Sequence, residues 1–262
     1  MPLLYSRDGH VATLMLSRPH GRNAWDEDYN EGLLARLAEL EADPDVRCVI
    51  LTGDPAGGAF SAGANLKDEN THFTTSARAF IEGLPKWRRF VTHQLTEFPK
   101  PVVAAVNGYA IGIGCIATFC CDVIVASDRA EWRLPQARLG IVPAYGGSVR
   151  LARWVGQGNA MRAALGFPID ANEAYRIGLA QWLVPHEQLM TKAMEVAREI
   201  AQLPPLAARM VKESLVRGMD IPNLADAAMA DVYRFMALEQ TDDAREAHAA
   251  WRERRPPHVS GS

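Results

Sequence analysis

Two glycine-rich turns carry the residue types that would bring a substrate against bare backbone. The first, Gly57-Gly58-Ala59-Phe60-Ser61-Ala62-Gly63-Ala64-Asn65-Leu66-Lys67, follows an apolar run at 46–51. The second, Asn107-Gly108-Tyr109-Ala110-Ile111-Gly112-Ile113-Gly114-Cys115, follows Pro101-Val102-Val103-Ala104-Ala105-Val106. A helix that starts in such a turn has N–H groups with no partner inside the helix, and its macrodipole adds partial positive charge there. Gly112 and Gly114 let a ligand come close to that backbone. Either turn is therefore suited to an anion, whether a phosphate or the oxyanion of an enolate or tetrahedral species. Together they can converge on one oxygen atom, and the small residues Ala62, Gly63 and Ala64 leave room for a long, thin ligand.

The second turn also satisfies G-x-G-x-x-A (Gly112 to Ala117), and Asp128 ends the next apolar run, where a dinucleotide fold places its ribose acid. That reading makes the chain a nucleotide-dependent oxidoreductase. Against it, five residues (Asn107 to Ile111) separate Val106 from Gly112, whereas the fingerprint glycine makes the tight turn at the strand end itself.

The elements that must position these turns follow from periodicity. The runs at 11–16, 46–53, 102–106, 123–126 and 131–134 read as strands, and 29–40 reads as a helix with Leu33, Leu34, Leu37 and Leu40 on one face. Residues 54–75 read as a loop. Ser76 is placed to cap a helix running to about Phe98, which Pro99 and Pro101 stop. From Tyr145 onward the pattern is mainly helical. Strands alternating with helices, then helices alone, predict an α/β core over 1–200 and a helical region over 201–262 ending in a flexible tail from Pro256.

Composition limits the function classes. The 262 residues are 48% apolar with a formal charge of -3, which gives no reason to propose nucleic acid or an anionic membrane surface as partner. No stretch is apolar enough for a membrane span, and 1–8 lacks a signal-peptide core. The four cysteines fit no metal or redox spacing and read as buried, reduced thiols, so the expected location is the cytoplasm and no metal site is expected.

Taken together, the motifs resemble the enoyl-CoA hydratase/isomerase (crotonase) superfamily. The resemblance rests on Arg18-Pro19 with Asn23-Ala24, on Ala59 to Lys67, and on Lys100 to Cys115. It continues through Cys121-Asp122, Arg138-Leu139-Gly140-Ile141-Val142-Pro143 with Gly146-Gly147, Ala174 with Gly178-Leu179-Ala180, and Lys212-Glu213-Ser214. It implies a crotonase-like spiral of ββα units with a C-terminal helical subdomain, assembled as a homotrimer or dimer of trimers. It also implies an acyl-CoA thioester substrate, with coenzyme A entering as part of that substrate and no separate cofactor. By position, the amides of Ala64 and Ile113 would polarise the thioester carbonyl, flanked by Ala62 and Gly112.

The chain departs from this pattern where proton transfer is expected. Hydratases of the family use two glutamates. Ile116 stands at the place of the first, and Gln136 of the Pro135-Gln136 pair at the place of the second. Isoleucine exchanges no proton, and glutamine orients a water or carbonyl without acting as a base at neutral pH. The expectation is an enzyme that stabilises an enolate without standard hydration, a lyase, isomerase or hydrolase; the alternative is a non-catalytic acyl-CoA binder. Tyr145, on the loop the family folds over the acyl chain, is the first candidate proton donor. Asp68, Glu69, His72, Glu82 and His93 are weaker candidates, and Arg133 is a candidate carboxylate anchor. Arg22 and Lys67 would face the phosphates of CoA, with Arg254 and Arg255 as more distant cations and Phe80 and Trp87 over the acyl chain.

Overall fold

A computed structural model describes residues 3–66, 76–88 and 90–262. Its main sheet has six strands: β1 (Leu3–Asp8), β2 (Val11–Leu16), β3 (Cys48–Gly53), β5 (Val102–Val106), β7 (Val123–Ser127) and β10 (Trp182–Val184), in that order across the sheet. β1 pairs antiparallel with β2 and every other neighbour is parallel. A smaller sheet stacks β4 (Ala59–Ser61), β6 (Tyr109–Ile111), β8 (Glu131–Arg133) and β9 (Ile169–Asp170).

The two sheets interleave along the chain. Each of β3, β5 and β7 runs on into a short strand of the small sheet and then into a helix. β4 is followed by α2 (Ala77–Arg88) and α3 (Val91–Glu97), β6 by α4 (Ile113–Phe119), and β8 by a 3-10 turn (Pro135–Leu139) and α5 (Gly147–Ala164). This is the repeated ββα unit of a crotonase-like fold. It also explains the five residues between Val106 and Gly112: they form the bend and the small-sheet strand β6.

Burial on both faces explains why the main strands read as continuous apolar runs. Cys48, Ile50, Val103, Ala105 and Val125 face α7 (Leu189–Ala201), packing on Ala193, Val196 and Ala197. Val49, Leu51, Val102 and Ala104 face the other way, into a core shared with Phe60, Trp132 and α1 (Glu27–Ala42). The chain then closes with α6 (Ala171–Arg176), which precedes β10, and with α8 (Pro205–Gly218), α9 (Leu224–Leu238) and α10 (Asp242–Glu253) after α7.

Several expectations are corrected. The helix read over 76–98 is two helices, broken at Phe90, whose extended ψ of 148° ends the α-helical path. Ser76 does cap the first, its Oγ accepting from the Ala79 amide at 3.2 Å. β1 escaped the sequence reading, as did β9 and β10 within the stretch taken as helical. The tail from Pro256 is held in place: Asp243 accepts from the amides of Ser260 (2.7 Å) and Gly261 (2.8 Å), and Arg47 donates to the Val259 carbonyl at 3.0 Å. Among the described residues no helix is long and apolar enough to cross a membrane.

Candidate active site

The Ala64 turn is fastened to the start of α1 by backbone pairing. The Trp25 amide donates to the Gly63 carbonyl at 2.7 Å, the Asn65 amide to the Trp25 carbonyl at 2.8 Å, and the Ala62 amide to the Arg22 carbonyl at 3.0 Å. Asn23, buried at the base of this turn, donates from Nδ2 to the carbonyls of Asp54 and Ala59 and accepts the Arg18 amide at Oδ1. The alternation leaves the Ala64 amide out of the pairing, with no acceptor among the described residues.

The second turn meets the first at its glycines. Gly63 has φ of 87°, and a Cβ there would lie 2.7 Å from the Ile111 carbonyl oxygen. Gly112 has φ of 55°, and a Cβ there would lie 3.9 Å from Gly63 Cα and 3.6 Å from Gln136 Nε2. Gly63 therefore demands glycine twice, for backbone conformation and for space, and Gly112 for conformation. Gly112 caps α4: its own amide donates to the Arg133 carbonyl, and its carbonyl accepts the Ile116 amide. Ile113, next in the chain, opens the helix with its N–H outside the ladder. The Ala64 and Ile113 amides thus follow directly on two glycines in contact.

Gln136 sits against this junction, on the 3-10 turn after β8. Its Oε1 is buried with no hydrogen-bond partner, and Nε2 makes no hydrogen bond to any described residue. An unpaired buried carbonyl costs about 1–3 kcal/mol. Ile116, on the first turn of α4, is fully buried. A Cβ on Gly147 would lie 2.8 Å from its Cδ1 and 3.2 Å from Pro143 Cβ, so the isoleucine fills the corner between α4 and the start of α5.

Tyr145 lies in that same loop, in a left-handed conformation (φ 55°) unusual for a side chain of its size. Its ring stacks on Phe90, centroids 4.0 Å apart and planes inclined by 12°. Burial, with the Glu27 carboxylate adding to it, pushes the hydroxyl up to about 12, so it stays protonated at neutral pH.

The remaining candidates separate. Arg22 is exposed, with a left-handed backbone, and its guanidinium has no partner among the described residues. Ala62 is half-buried in the turn. Arg133 is not a free anchor: its guanidinium is paired with Glu131 and lies over the Tyr109 ring. Glu82 is exposed and paired with Arg78, His93 is exposed, and Arg255 is held by Glu246 and Glu253. Arg254 ends α10 in a left-handed conformation, and Phe80 is exposed. Lys67, Asp68, Glu69, His72 and the Trp87 side chain lie outside the described residues. Glu27 was missed by the sequence reading; only the folded chain brings its charge near Tyr145. Asp128, the ribose acid of the dinucleotide reading, accepts the His186 amide at Oδ1 (3.1 Å). No three metal-ligating side chains gather among the described residues.

Comparison with known proteins shows the family and the fold. The sequence profile of the enoyl-CoA hydratase/isomerase family matches residues 6–262, and the chain belongs to that family. It is 37% identical to the short-chain-enoyl-CoA hydratase of Clostridium acetobutylicum, over 97% of this chain and 95% of that protein. It is 35% identical to the probable enoyl-CoA hydratase echA8 of Mycobacterium tuberculosis, over 98% of this chain and 97% of that one. The crystal structure of an enoyl-CoA hydratase from Bacillus anthracis superposes with a TM-score of 0.91 at 30% identity, covering both chains fully. The chain is thus similar over its whole length to enzymes named for acyl-CoA chemistry.

Proposed function

We propose that this protein binds an acyl-CoA thioester with its carbonyl oxygen between the amides of Ala64 and Ile113, and turns it over through a stabilised enolate rather than by two-carboxylate hydration. The observation that carries this reading is the contact of Gly63 with Gly112, which sets two unpaired amides one residue beyond a shared junction. Donors fixed before the reaction stabilise charge as it develops on the oxygen, and one such donor is worth about 100- to 1,000-fold in rate. Gln136, beside Gly112, supplies a neutral hydrogen-bonding group, and Tyr145 a protonated hydroxyl. Arg22 and Lys67 are assigned to the phosphates of CoA. The cytoplasm, where CoA thioesters and reduced thiols coexist, suits the four buried free cysteines.

Assembly belongs to the same reading. Leu224, Val232, Phe235 and Met236 expose an apolar face of α9 that a monomer would leave in water. A homotrimer or dimer of trimers is expected, and light scattering that shows a stable monomer at micromolar concentration counts against it.

The test is calorimetric binding of CoA thioesters together with turnover of a panel read by mass spectrometry. A protein that binds no CoA thioester ends the proposal. Hydration of crotonyl-CoA by the native chain at about 10 per second or more would show that the roles given to positions 116 and 136 are wrong.

A further inference from the structure

One buried side chain fastens the base of the first glycine turn. Asn23 is fully buried and left-handed (φ 56°), a conformation that asparagine tolerates better than most residues. Arg22 before it is left-handed too (φ 51°), and together they reverse the chain between the 3-10 turn Pro19–Gly21 and α1. Asn23 exchanges two hydrogen bonds with Arg18: its amide donates to the Arg18 carbonyl, and its Oδ1 accepts the Arg18 amide, both at 3.0 Å. Its Nδ2 donates to the Ala59 carbonyl at 2.8 Å and to the Asp54 carbonyl at 3.1 Å. Only a carboxamide on a short stem supplies two N–H donors and an acceptor in this space. An aspartate here would turn an oxygen toward two carbonyls.

These bonds set the turn from two directions. Ala59 opens β4, the strand that leads into the Ala64 turn. On the other side, the residues flanking Asn23 hold the turn itself. The Arg22 carbonyl accepts the Ala62 amide, and the Trp25 amide and carbonyl hold Gly63 and Asn65. Ala64 runs beside Trp25 as a parallel bridge. The reversal at Arg22 and Asn23 decides where these groups point. The second turn has support of its own, since β6 pairs with β8 and the Gly112 amide donates to the Arg133 carbonyl.

We infer that Asn23 is a positioning residue of the thioester site: from the base of the turn it holds the Ala64 amide at the place where that amide and Ile113 share one oxygen. This role rests on the function proposed above and names what keeps its first donor in register. A misplacement of about 1 Å caused far from the chemistry can cost about 100-fold in rate. Ground-state binding is spread over the whole coenzyme and responds far less.

The experiment follows bound butyryl-CoA, labelled with carbon-13 at the thioester carbonyl, by isotope-edited infrared spectroscopy. Calorimetric binding and turnover of any thioester the native chain consumes are measured alongside. In native protein the carbonyl band should lie at lower frequency than in water, because two N–H donors polarise it. Asn23→Gly keeps the left-handed backbone and removes the carboxamide. Gly57→Ala leaves Asn23 in place in the sequence and drives a Cβ to 2.8 Å from its Nδ2, so it carries the test if Asn23→Gly does not fold. Each variant should lose about half of the band shift, as one of two donors is displaced. Turnover should fall by about 100-fold with KM nearly unchanged. Val196→Ala, in the core beneath α7, is the control for stability alone: it should lower the thermal midpoint and leave the band in place. A band unmoved in the Asn23 and Gly57 variants that fold and bind overturns the inference and leaves the thioester reading standing. Loss of band shift and binding together, matched by Val196→Ala, also overturns it, because Asn23 would then serve the fold alone. A native band at its frequency in water removes the thioester reading and this role with it.

Discussion

Two buried polar corners of this molecule are built on opposite terms. Midway along α8, Lys212 Nζ donates to Asp122 Oδ2 at 2.8 Å and to the Lys100 carbonyl at 3.1 Å, while the same carboxylate oxygen accepts the Val102 amide at 2.7 Å. Phe98 adds an aromatic face 5.9 Å from the ammonium. Charge and hydrogen bonds are matched, and the pair ties the helical region to the edge of β5. At the Gly63–Gly112 junction, two amides and a carboxamide lie close together with no hydrogen-bond partner among the described residues. The first corner is finished on folding. The second is left open on folding, and on the function proposed above a bound thioester would complete it.

The contrast predicts different responses to mutation. The largest effect is expected at the matched corner: Lys212→Met leaves Asp122 facing the interior unpaired and should cost about 3–5 kcal/mol, read by urea denaturation. Adding Asp122→Asn should recover a good part of it. Burial raises the Asp122 carboxyl above its usual range despite Lys212. A raised folded-state value means the native state holds the proton more tightly. This group's contribution to stability is therefore greatest at acid pH and declines as pH rises through the folded value. A native titration in which the Asp122 carboxyl ionises below the ordinary range would contradict this.

At the unmatched corner stability and activity should part. Gly63→Ala drives a Cβ against the Ile111 carbonyl and should lower turnover by about 100- to 1,000-fold, with circular dichroism confirming a folded chain. Gln136→Leu removes an orphaned carbonyl, so its stability should change by no more than about 1 kcal/mol although turnover falls. A loss as large as that of Lys212→Met would erase the distinction between the corners. A smaller effect concerns Tyr145: absorbance titration of native protein against Tyr145→Phe should assign it an ionisation near 12, and Glu27→Gln should lower that value. The smallest is expected at the tail. Arg255 and the His258 amide hold Glu246 down to about 2. Support from this depressed group is present above the ordinary carboxyl value and fades as pH falls toward 2. Arg255→Ala should speed amide exchange over 256–262 while leaving the global unfolding midpoint in place.

What could be read from sequence followed from how each element is solvated. β2, β3, β5 and β7 are buried on both faces and announce themselves as apolar runs. β1 is an edge strand exposed along most of its length, and β10 is three half-buried residues recruited by pairing with β7, so neither has a pattern of its own. At the site, the glycine turns and the residues Ile116 and Gln136 could be singled out because they depend on residue type and position. The Phe90–Tyr145 stack and the charge of Glu27 beside that ring were not, because they exist only once distant segments are packed. The tail misled for a related reason. Proline and polar composition suggested freedom, whereas Asp243 captures its backbone amides, a contact that no side-chain pattern in the tail encodes.

The Asp122–Lys212 pair has a consequence for the chain as it is being made. Lys212 lies 90 residues after Asp122, roughly 5–20 s of translation at about 5–20 residues per second. Through that interval the nascent chain carries an aspartate whose cation has not yet been synthesised, and the carboxylate must stay hydrated or take a proton. A ribosome stalled just after Val184 would have made every described strand, yet its product would be unable to shut the corner of the sheet where Asp122 waits. The last helices therefore act as a completion check, and truncated translation products of this protein should remain open and exposed to proteolysis.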